Sequence, residues 1–436
     1  MKIQFLGSAQ EVGRSCIVVN DIFLLDAGIK IGKEESEYPL DFSEKDIKAV
    51  FIGHAHLDHT GALPLLNHYG LRCVINATKM TRQITQILLK DSSHIEEIKG
   101  QHPAYTDENI QNILSYFNYV DYNKLYQEKG IGIRYKFLDA GHIPGSSSVL
   151  LELEDKGGKR RKLLYTGDIN SNNTNLLDGL TYDKKNKKDM KQDLSLKDVD
   201  VMICESTYGG RDHPDRIKQE KEFLDIVKKT IDNGGSVLIP AFAVGRSQEI
   251  LLMLAKRKFG AQIYLDGMGK KVTDLFLRDG RYVRDVNLLR KAVKNIEYVT
   301  DYRHRKRIMQ EQAIIVSTSG MMDGGPVMDY IKYLYHDTKN AILLTGYQAE
   351  ESNGRRLLEK GYVEVDNQTY NVKAFVRKFD FSAHSGQKQL IELIKKINPK
   401  HLILNHGDPE EMTELVRKLK FIQEVYVPVN GETVRC

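Results

Sequence analysis

Cysteine is scarce, with four in 436 residues (Cys16, Cys73, Cys204 and Cys436) and no CxxC pair. This spacing excludes a disulfide-rich scaffold and a cysteine-based zinc site, and it fits a reducing compartment. No apolar run approaches the roughly 20 residues that span a bilayer. The opening MKIQFLGSAQ has no basic segment followed by a long apolar stretch, so it reads as a first strand beginning at Met1, not as a signal peptide. The chain is therefore expected in the cytoplasm, with no membrane partner. Low-complexity tracts and internal repeats are missing too. Charge of one sign is nearly balanced away, since 64 basic and 59 acidic residues leave a formal +5. That permits a nucleic-acid partner without demanding one.

What is present suffices for real cores: 41% of the residues are hydrophobic and 28% charged. The length is comfortable for two domains. Three basic clusters stand out, at 156–162 (a hairpin tip), 184–191 (a solvated loop) and 303–307. Each alone reads as a solubilising surface, and together they lean toward a polyanionic ligand.

Over the first two hundred residues, short β-branched runs such as IQFLGSA, KAVFIGHAH, SVLLELE and KLLYTGDI end in Gly, Asp or His. Helical spacing covers 81–98 and 107–118, so this part reads as sheets inside with helices outside. The rhythm changes near 208. A helix over 215–233, the strand SVLIPAFA, a helix over 247–259 and the strands AQIYLDG, IIVSTSG and AILLTGY predict a parallel sheet with crossover helices. After Tyr370 the pattern is strand, helix (388–397), strand (HLILNHG), helix (409–419) and a final hairpin.

The strand KAVFIG runs into His54-Ala-His56-Leu-Asp58-His59. Three imidazoles and a carboxylate within six residues combine nitrogen and oxygen donors that suit zinc. Alternation puts His54 and His56 on one side to grip one ion, and the following turn brings Asp58 and His59 toward a second. Further ligands are needed. His142 in LDAGHIPGS, Asp168 in LLYTGDI and His406 in HLILNHGD each end an apolar strand at a glycine-bearing turn, a position a rigid sheet can hold. Asp26 in FLLDAG is placed the same way and is read as orienting the ligands.

Together, Asp26, HAHLDH at 54–59, His142 and Asp168 resemble the signature of the metallo-β-lactamase fold. Glu205 in ICESTYGGRDHP, His384 in FSAHSG and His406 in NHGD resemble three further motifs of the β-CASP branch, which processes nucleic acids. PAFAVGRSQE, STSGMMDGGP and GYQAEESNGR are similar to β-CASP segments. The resemblance covers essentially the whole chain. It is with archaeal nucleases similar to the nuclease subunit of the cleavage and polyadenylation specificity factor, in a short form lacking an N-terminal RNA-binding extension.

The fold so implied is α/β: a metallo-β-lactamase αββα sandwich with an inserted β-CASP α/β domain. The expected bounds are 1–207 for the first part of the sandwich domain, 208–369 for the insertion and 370–436 for the returning part. Two zinc ions per chain are implied, one on His54, His56 and His142 and the other on Asp58, His59 and His406, with Asp168 bridging.

The implied activity is hydrolysis of RNA phosphodiester bonds, internally or 5′ to 3′, in RNA processing or decay. Asp58 would orient or deprotonate water. His384 would donate the proton to the leaving ribose oxygen, with Glu205 holding its ring. Ser317, Thr318, Ser319 and Gly320 at a strand end, and Arg246 ahead of a helix, are candidates for RNA phosphates. The alternatives are a β-CASP deoxyribonuclease and a small-molecule metallohydrolase. His406 favours RNA over DNA, and the insertion, Glu205 and His384 have no use in a small-molecule enzyme. A homodimer is one option for the assembly.

Overall fold

The computed structural model describes residues 1–32, 36–98, 100, 104–154, 157–182 and 194–436, so the basic run at 184–191 lies outside the described residues. Its backbone divides into two compact units. The first comprises Met1–Asn173, Gly179–Asp212 and Ala383–Cys436, and the second Thr174–Asp178 and His213–Ser382.

The first unit contains two seven-stranded sheets. In one, the strands run in the order Thr433–Arg435, Lys2–Gly7, Cys16–Val19, Phe23–Leu25, Ala49–Phe51, Val74–Ala77, Phe117–Tyr119. In the other the order is Glu424–Tyr426, His401–Asn405, Val201–Glu205, Arg160–Tyr165, Ser147–Glu154, Ile133–Asp139, Leu125–Glu128. Inward side chains of both, including Phe5, Ile17, Phe51, Tyr135, Val149, Leu163 and Ile203, form one core. Full burial of each such chain is worth about 1.5–3 kcal/mol. The outer face of the first sheet packs on Leu63, Leu66, Leu89, Ile110 and Ile113, and that of the second on Leu390, Ile394, Met412 and Leu415. Helix, sheet, sheet, helix is the expected αββα order.

Three details differ from the reading of the sequence. The helix expected over 107–118 is Asp107–Ser115, and Phe117–Tyr119 is the edge strand of the first sheet, its register set against Ile75–Ala77. The expected final hairpin does not form: Glu424–Tyr426 runs parallel to the strand at 401–405, while Thr433–Arg435 runs antiparallel to the strand at 2–7 in the other sheet. The chain crosses the sandwich between them because each strand completes the edge of a different sheet. The return from the insertion also comes later than 370, because Phe375–Lys378 pairs with Ala341–Leu344 in the second unit.

That second unit is built on six parallel strands, in the order Ile296–Tyr298, Gln262–Asp266, Ala313–Ser317, Val237–Pro240, Ala341–Leu344, Phe375–Lys378. Alternate residues face opposite cores: Val237, Ile239, Ile314 and Leu343 one way, Leu238, Ile315, Ile342 and Leu344 the other. Burial on both faces explains why these strands read as continuous apolar runs. Among the described residues no helix is long and apolar enough to cross a membrane.

Candidate active site

The HxHxDH segment leaves the strand Ala49–Phe51 and closes in a short helix, Leu57–Thr60. Backbone bonds pin it against the neighbouring turns: Ser15 N donates to the Asp58 carbonyl at 2.7 Å, Ala27 N to that of His59 at 2.9 Å and Ile29 N to that of Leu57 at 2.9 Å. The turn after Asp26 must be a glycine, because a Cβ on Gly28 would lie 1.7 Å from the Asp58 oxygen. Gly53 N donates to Asp26 Oδ1 at 2.7 Å, and Asp26 itself is left-handed with φ +56.

From this base the side chains converge. His54 Nε2 is 2.9 Å from His56 Nδ1, which is 3.3 Å from His142 Nε2. A neutral imidazole carries one proton, so three facing nitrogens leave lone pairs opposed to one another. Asp168 lies between this trio and a second set. Its Oδ2 is 3.6 Å from His54 Nε2 and 3.7 Å from His142 Nε2, whereas its Oδ1 is 3.5 Å from His59 Nε2 and 3.3 Å from His406 Nδ1. Asp58 Oδ2 completes the second set at 3.3 Å from His406 Nε2 and 3.8 Å from His59 Nε2.

The outer faces of the rings are held so that inner lone pairs point into the cluster. His142 Nδ1 donates to the Ala383 carbonyl at 2.8 Å, and His59 Nδ1 to Asp26 Oδ2 at 2.6 Å. His59 Nε2 and Asp168 Oδ1, which face the cluster, are buried and have no hydrogen-bond partner among the described residues. Burial and the neighbouring rings hold His54 and His142 well below the usual imidazole range, so both are neutral donors. At His59 burial also disfavours charge, but Asp168, Asp58 and Asp26 outweigh it and carry the ring well above that range. Burial likewise works against an ionised Asp168, yet the charges of His406 and His59 keep its carboxyl well below the ordinary value. Neutral nitrogens, ionised carboxylates and unpaired buried atoms around one point form a place for a cation. Two of the groups able to hold a metal are the trio His54, His56, His142 and the quartet Asp58, His59, Asp168, His406.

Beside the trio stands a second device. Glu205, at the end of the strand Val201–Glu205, accepts from Ile169 N at 2.7 Å and from His384 Nδ1 at 3.1 Å on each oxygen. His384 Nε2 faces the cluster, 4.0 Å from Asp168 Oδ2, and its ring sits 4.6 Å from that of His142. Burial would lower this imidazole, but the Glu205 carboxylate lifts it to about 9. His384 also falls in a third possible metal group with His142 and Asp168.

The remaining candidates belong to the second unit. Arg246 begins the helix Arg246–Leu254 behind a left-handed Gly245 and is half-buried. Ser317 is fully buried and its hydroxyl donates to the Thr318 carbonyl, so it does not offer a surface donor. Thr318 is nearly buried, Ser319 is half-exposed, and Gly320 is pressed against Phe242, where a Cβ would lie 2.9 Å from the Phe242 nitrogen. In the cluster at 303–307, Arg305 turns inward to Asp266 and Asp329, at 2.8 Å from each, so that charge is internal.

Reading the sequence missed Tyr165, whose hydroxyl donates to Asp26, Ser15 beneath it, and Tyr208, whose ring lies 5.9 Å from that of His384. Tyr165 and Tyr208 each sit three residues from a candidate residue, Asp168 and Glu205, but nothing local marks them as partners.

Residues 247–357 match the family described as Beta-Casp domain, and residues 369–430 that described as Zn-dependent metallo-hydrolase RNA specificity domain. Residues 1–202 match that described as Anti-Pycsar protein Apyc1. The chain is 39% identical to Probable RNase MJ4 of Methanocaldococcus jannaschii, over 100% of both chains. It is 34% identical to RNase aCSPSF2 of Saccharolobus solfataricus, over 99% of this chain and 85% of that one. Transcription termination factor FttA of Methanocaldococcus jannaschii is 33% identical over 100% of this chain and 72% of its own length. A solved structure of a protein of unknown function from Enterococcus faecalis V583 has a TM-score of 0.61 over 99% of both chains at 14% identity, a likeness of fold alone. With more than a third of the residues identical to a relative over its full length, the chain belongs to the metallo-β-lactamase/β-CASP ribonucleases, among the archaeal proteins that resemble the cleavage and polyadenylation specificity factor nuclease.

Proposed function

We propose that the chain is a two-zinc ribonuclease that hydrolyses RNA phosphodiester bonds, internally, from the 5′ end or both, in RNA processing or decay in the cytoplasm. The observation that carries this is Asp168, which turns one oxygen to His54 and His142 and the other to His59 and His406. His54, His56 and His142 would hold one ion, Asp58, His59 and His406 the other, with Asp168 shared between them. Zinc bound there supplies a lowered pKa for water and positive charge for the phosphate oxygens.

The protein's own groups do the rest. Asp58 keeps 27% of its side chain exposed, so it can orient an incoming water and take its proton. His384 donates from Nε2 to the leaving ribose oxygen as the phosphorus–oxygen bond breaks. Glu205 fixes that ring through Nδ1 and keeps it protonated at working pH. Arg246 and Ser319 in the second unit are assigned to RNA phosphates along the strand.

The test is digestion of RNAs labelled at one end, with and without a 5′-monophosphate, beside single-stranded DNA, with metal content measured on the same preparation. Zinc-dependent RNA products are expected, their sizes distinguishing internal cutting from trimming. Cleavage of DNA alone, or equal cleavage after chelation, would overturn the reading.

Glu205→Gln gives an independent check. An acid must be protonated to act, so its activity is present below the His384 pKa of about 9 and is lost as pH rises through it. Removing the Glu205 charge lowers that pKa. The alkaline limb of the pH–rate profile should therefore move to lower pH by about one to three units. A limb that stays put assigns the proton to another group.

A further inference from the structure

The two sheets of the first unit meet at the metal-binding edge, and one side chain ties them there. Tyr165 ends the strand Arg160–Tyr165 of the second sheet, while Asp26 follows Phe23–Leu25 of the first. The Tyr165 hydroxyl donates to Asp26 Oδ2, the same oxygen that receives His59 Nδ1. On the far side Ser15 Oγ lies 3.2 Å from the Tyr165 oxygen, and Ser15 N donates to the Asp58 carbonyl at 2.7 Å. Ser15, Asp26 and His59 are 0% exposed and Tyr165 is 3% exposed, so no water competes for these contacts. Burial pushes the Tyr165 phenol well above its usual range and the Asp26 charge adds to this, so the hydroxyl remains a donor.

Beyond Tyr165 only Thr166 and Gly167 intervene before Asp168. The turn is closely packed, since Gly167 has φ +54 and a Cβ on it would stand 3.2 Å from the Ser147 carbonyl oxygen. The hydroxyl-to-Asp26 bond thus sets the distance between the strand that carries Asp168 and the loop that carries Asp58 and His59. The three-histidine half has separate anchors: His142 rests on the Ala383 carbonyl, and Gly53 N, next to His54, uses the Asp26 oxygen that Tyr165 does not touch.

We propose that Tyr165, steadied by Ser15, is a positioning residue for one half of the metal centre, the Asp58–His59–Asp168–His406 set, and not for the other. The inference rests on the two-ion reading above. A phenol that fixes the carboxylate behind a ligating imidazole acts on metal affinity through geometry, and partners of this kind are typically worth about 10–100-fold. Loss of the hydroxyl would let the Asp26 carboxylate turn and His59, held by the same oxygen, swing with it.

The full-length protein, stripped with a chelator, would be titrated with zinc against a competing chelator to read two affinities, for the parent and for Tyr165→Phe. Tyr135→Phe is the control. Its buried hydroxyl donates to Asn76 Oδ1 at 2.9 Å in the same unit, on a strand that carries no candidate ligand, so it removes a tyrosine hydroxyl without touching the chain of bonds. Tyr165→Phe should weaken one ion by about 10–100-fold and leave the other within about twofold. Tyr135→Phe should change neither. If Tyr165→Phe fails to fold, Ser15→Ala is read instead, with the same ion weakened by a smaller factor. Unchanged affinities, equal weakening of both ions, or the same effect in the control would overturn the positioning role while leaving the two-ion reading intact. A parent protein that binds no zinc overturns both, and the parent titration shows this before any variant is measured.

Discussion

Asp168→Asn should empty both halves of the metal centre at once. The parent is expected to carry about two ions per chain and the variant fewer than about one. No other candidate ligand faces both sets: its two oxygens stand 3.3–3.7 Å from four imidazole nitrogens, two in each set. The amide keeps the size but loses the charge, and it turns an NH2 group toward one set, where a donor meets a cation. Cleavage should fall by at least about 10³-fold, or roughly 4 kcal/mol of barrier. His54→Ala, by contrast, touches one set and should spare part of the metal. Elemental analysis of the two variants side by side decides the matter, and a fully loaded Asp168→Asn would remove the bridge from the mechanism.

The second large effect separates His384 from the ligands. His384→Ala should slow single-turnover cleavage by about 10²–10⁴-fold with metal content unchanged. His406→Ala should lose metal, since its ring faces both Asp58 and Asp168 at 3.3 Å. The geometry makes this contest a real one, because His384 also stands within reach of a possible ion with His142 and Asp168. Its Nδ1 is occupied by Glu205 and only Nε2 turns inward. If His384→Ala loses metal as His406→Ala does, it is a ligand and the proton comes from elsewhere. RNA binding by His384→Ala should persist, since affinity for RNA comes mostly from backbone contacts.

Much of this arrangement could be read from the chain because it is local. The HxHxDH run is contiguous, and Asp26, His142, Asp168 and His406 each sit where an apolar strand gives way to a glycine turn, a pattern visible without coordinates. The pair Glu205 and His384 is 179 residues apart and was reachable only through resemblance to a family. Tyr165 and Ser15 were out of reach, because a hydrogen bond between two sheets leaves no trace in spacing. The C-terminal strands were misread for a related reason: two short strands seven residues apart look like a hairpin, and only the vacant edges of two different sheets send them apart. In the basic cluster at 303–307, charge count could not reveal that Arg305 faces inward to Asp266, whereas Arg303, Lys306 and Arg307 are exposed.

The pairing of the strand at 201–205 with the strand at 401–405 has a consequence for the newborn chain. At about 5–20 residues per second, the ribosome needs roughly 10–40 s to travel from one strand to the other. Throughout that interval the second sheet lacks the strand beside Val201–Glu205, and the quartet of Asp58, His59, Asp168 and His406 lacks its last member. The loop that brings His406 in also leans on the first strand, with His406 N donating to the Ser8 carbonyl at 2.8 Å. The set proposed to cut RNA is thus incomplete while the chain is still being made on RNA. The quartet closes only after residue 406 has been made and has reached the Ser8 carbonyl.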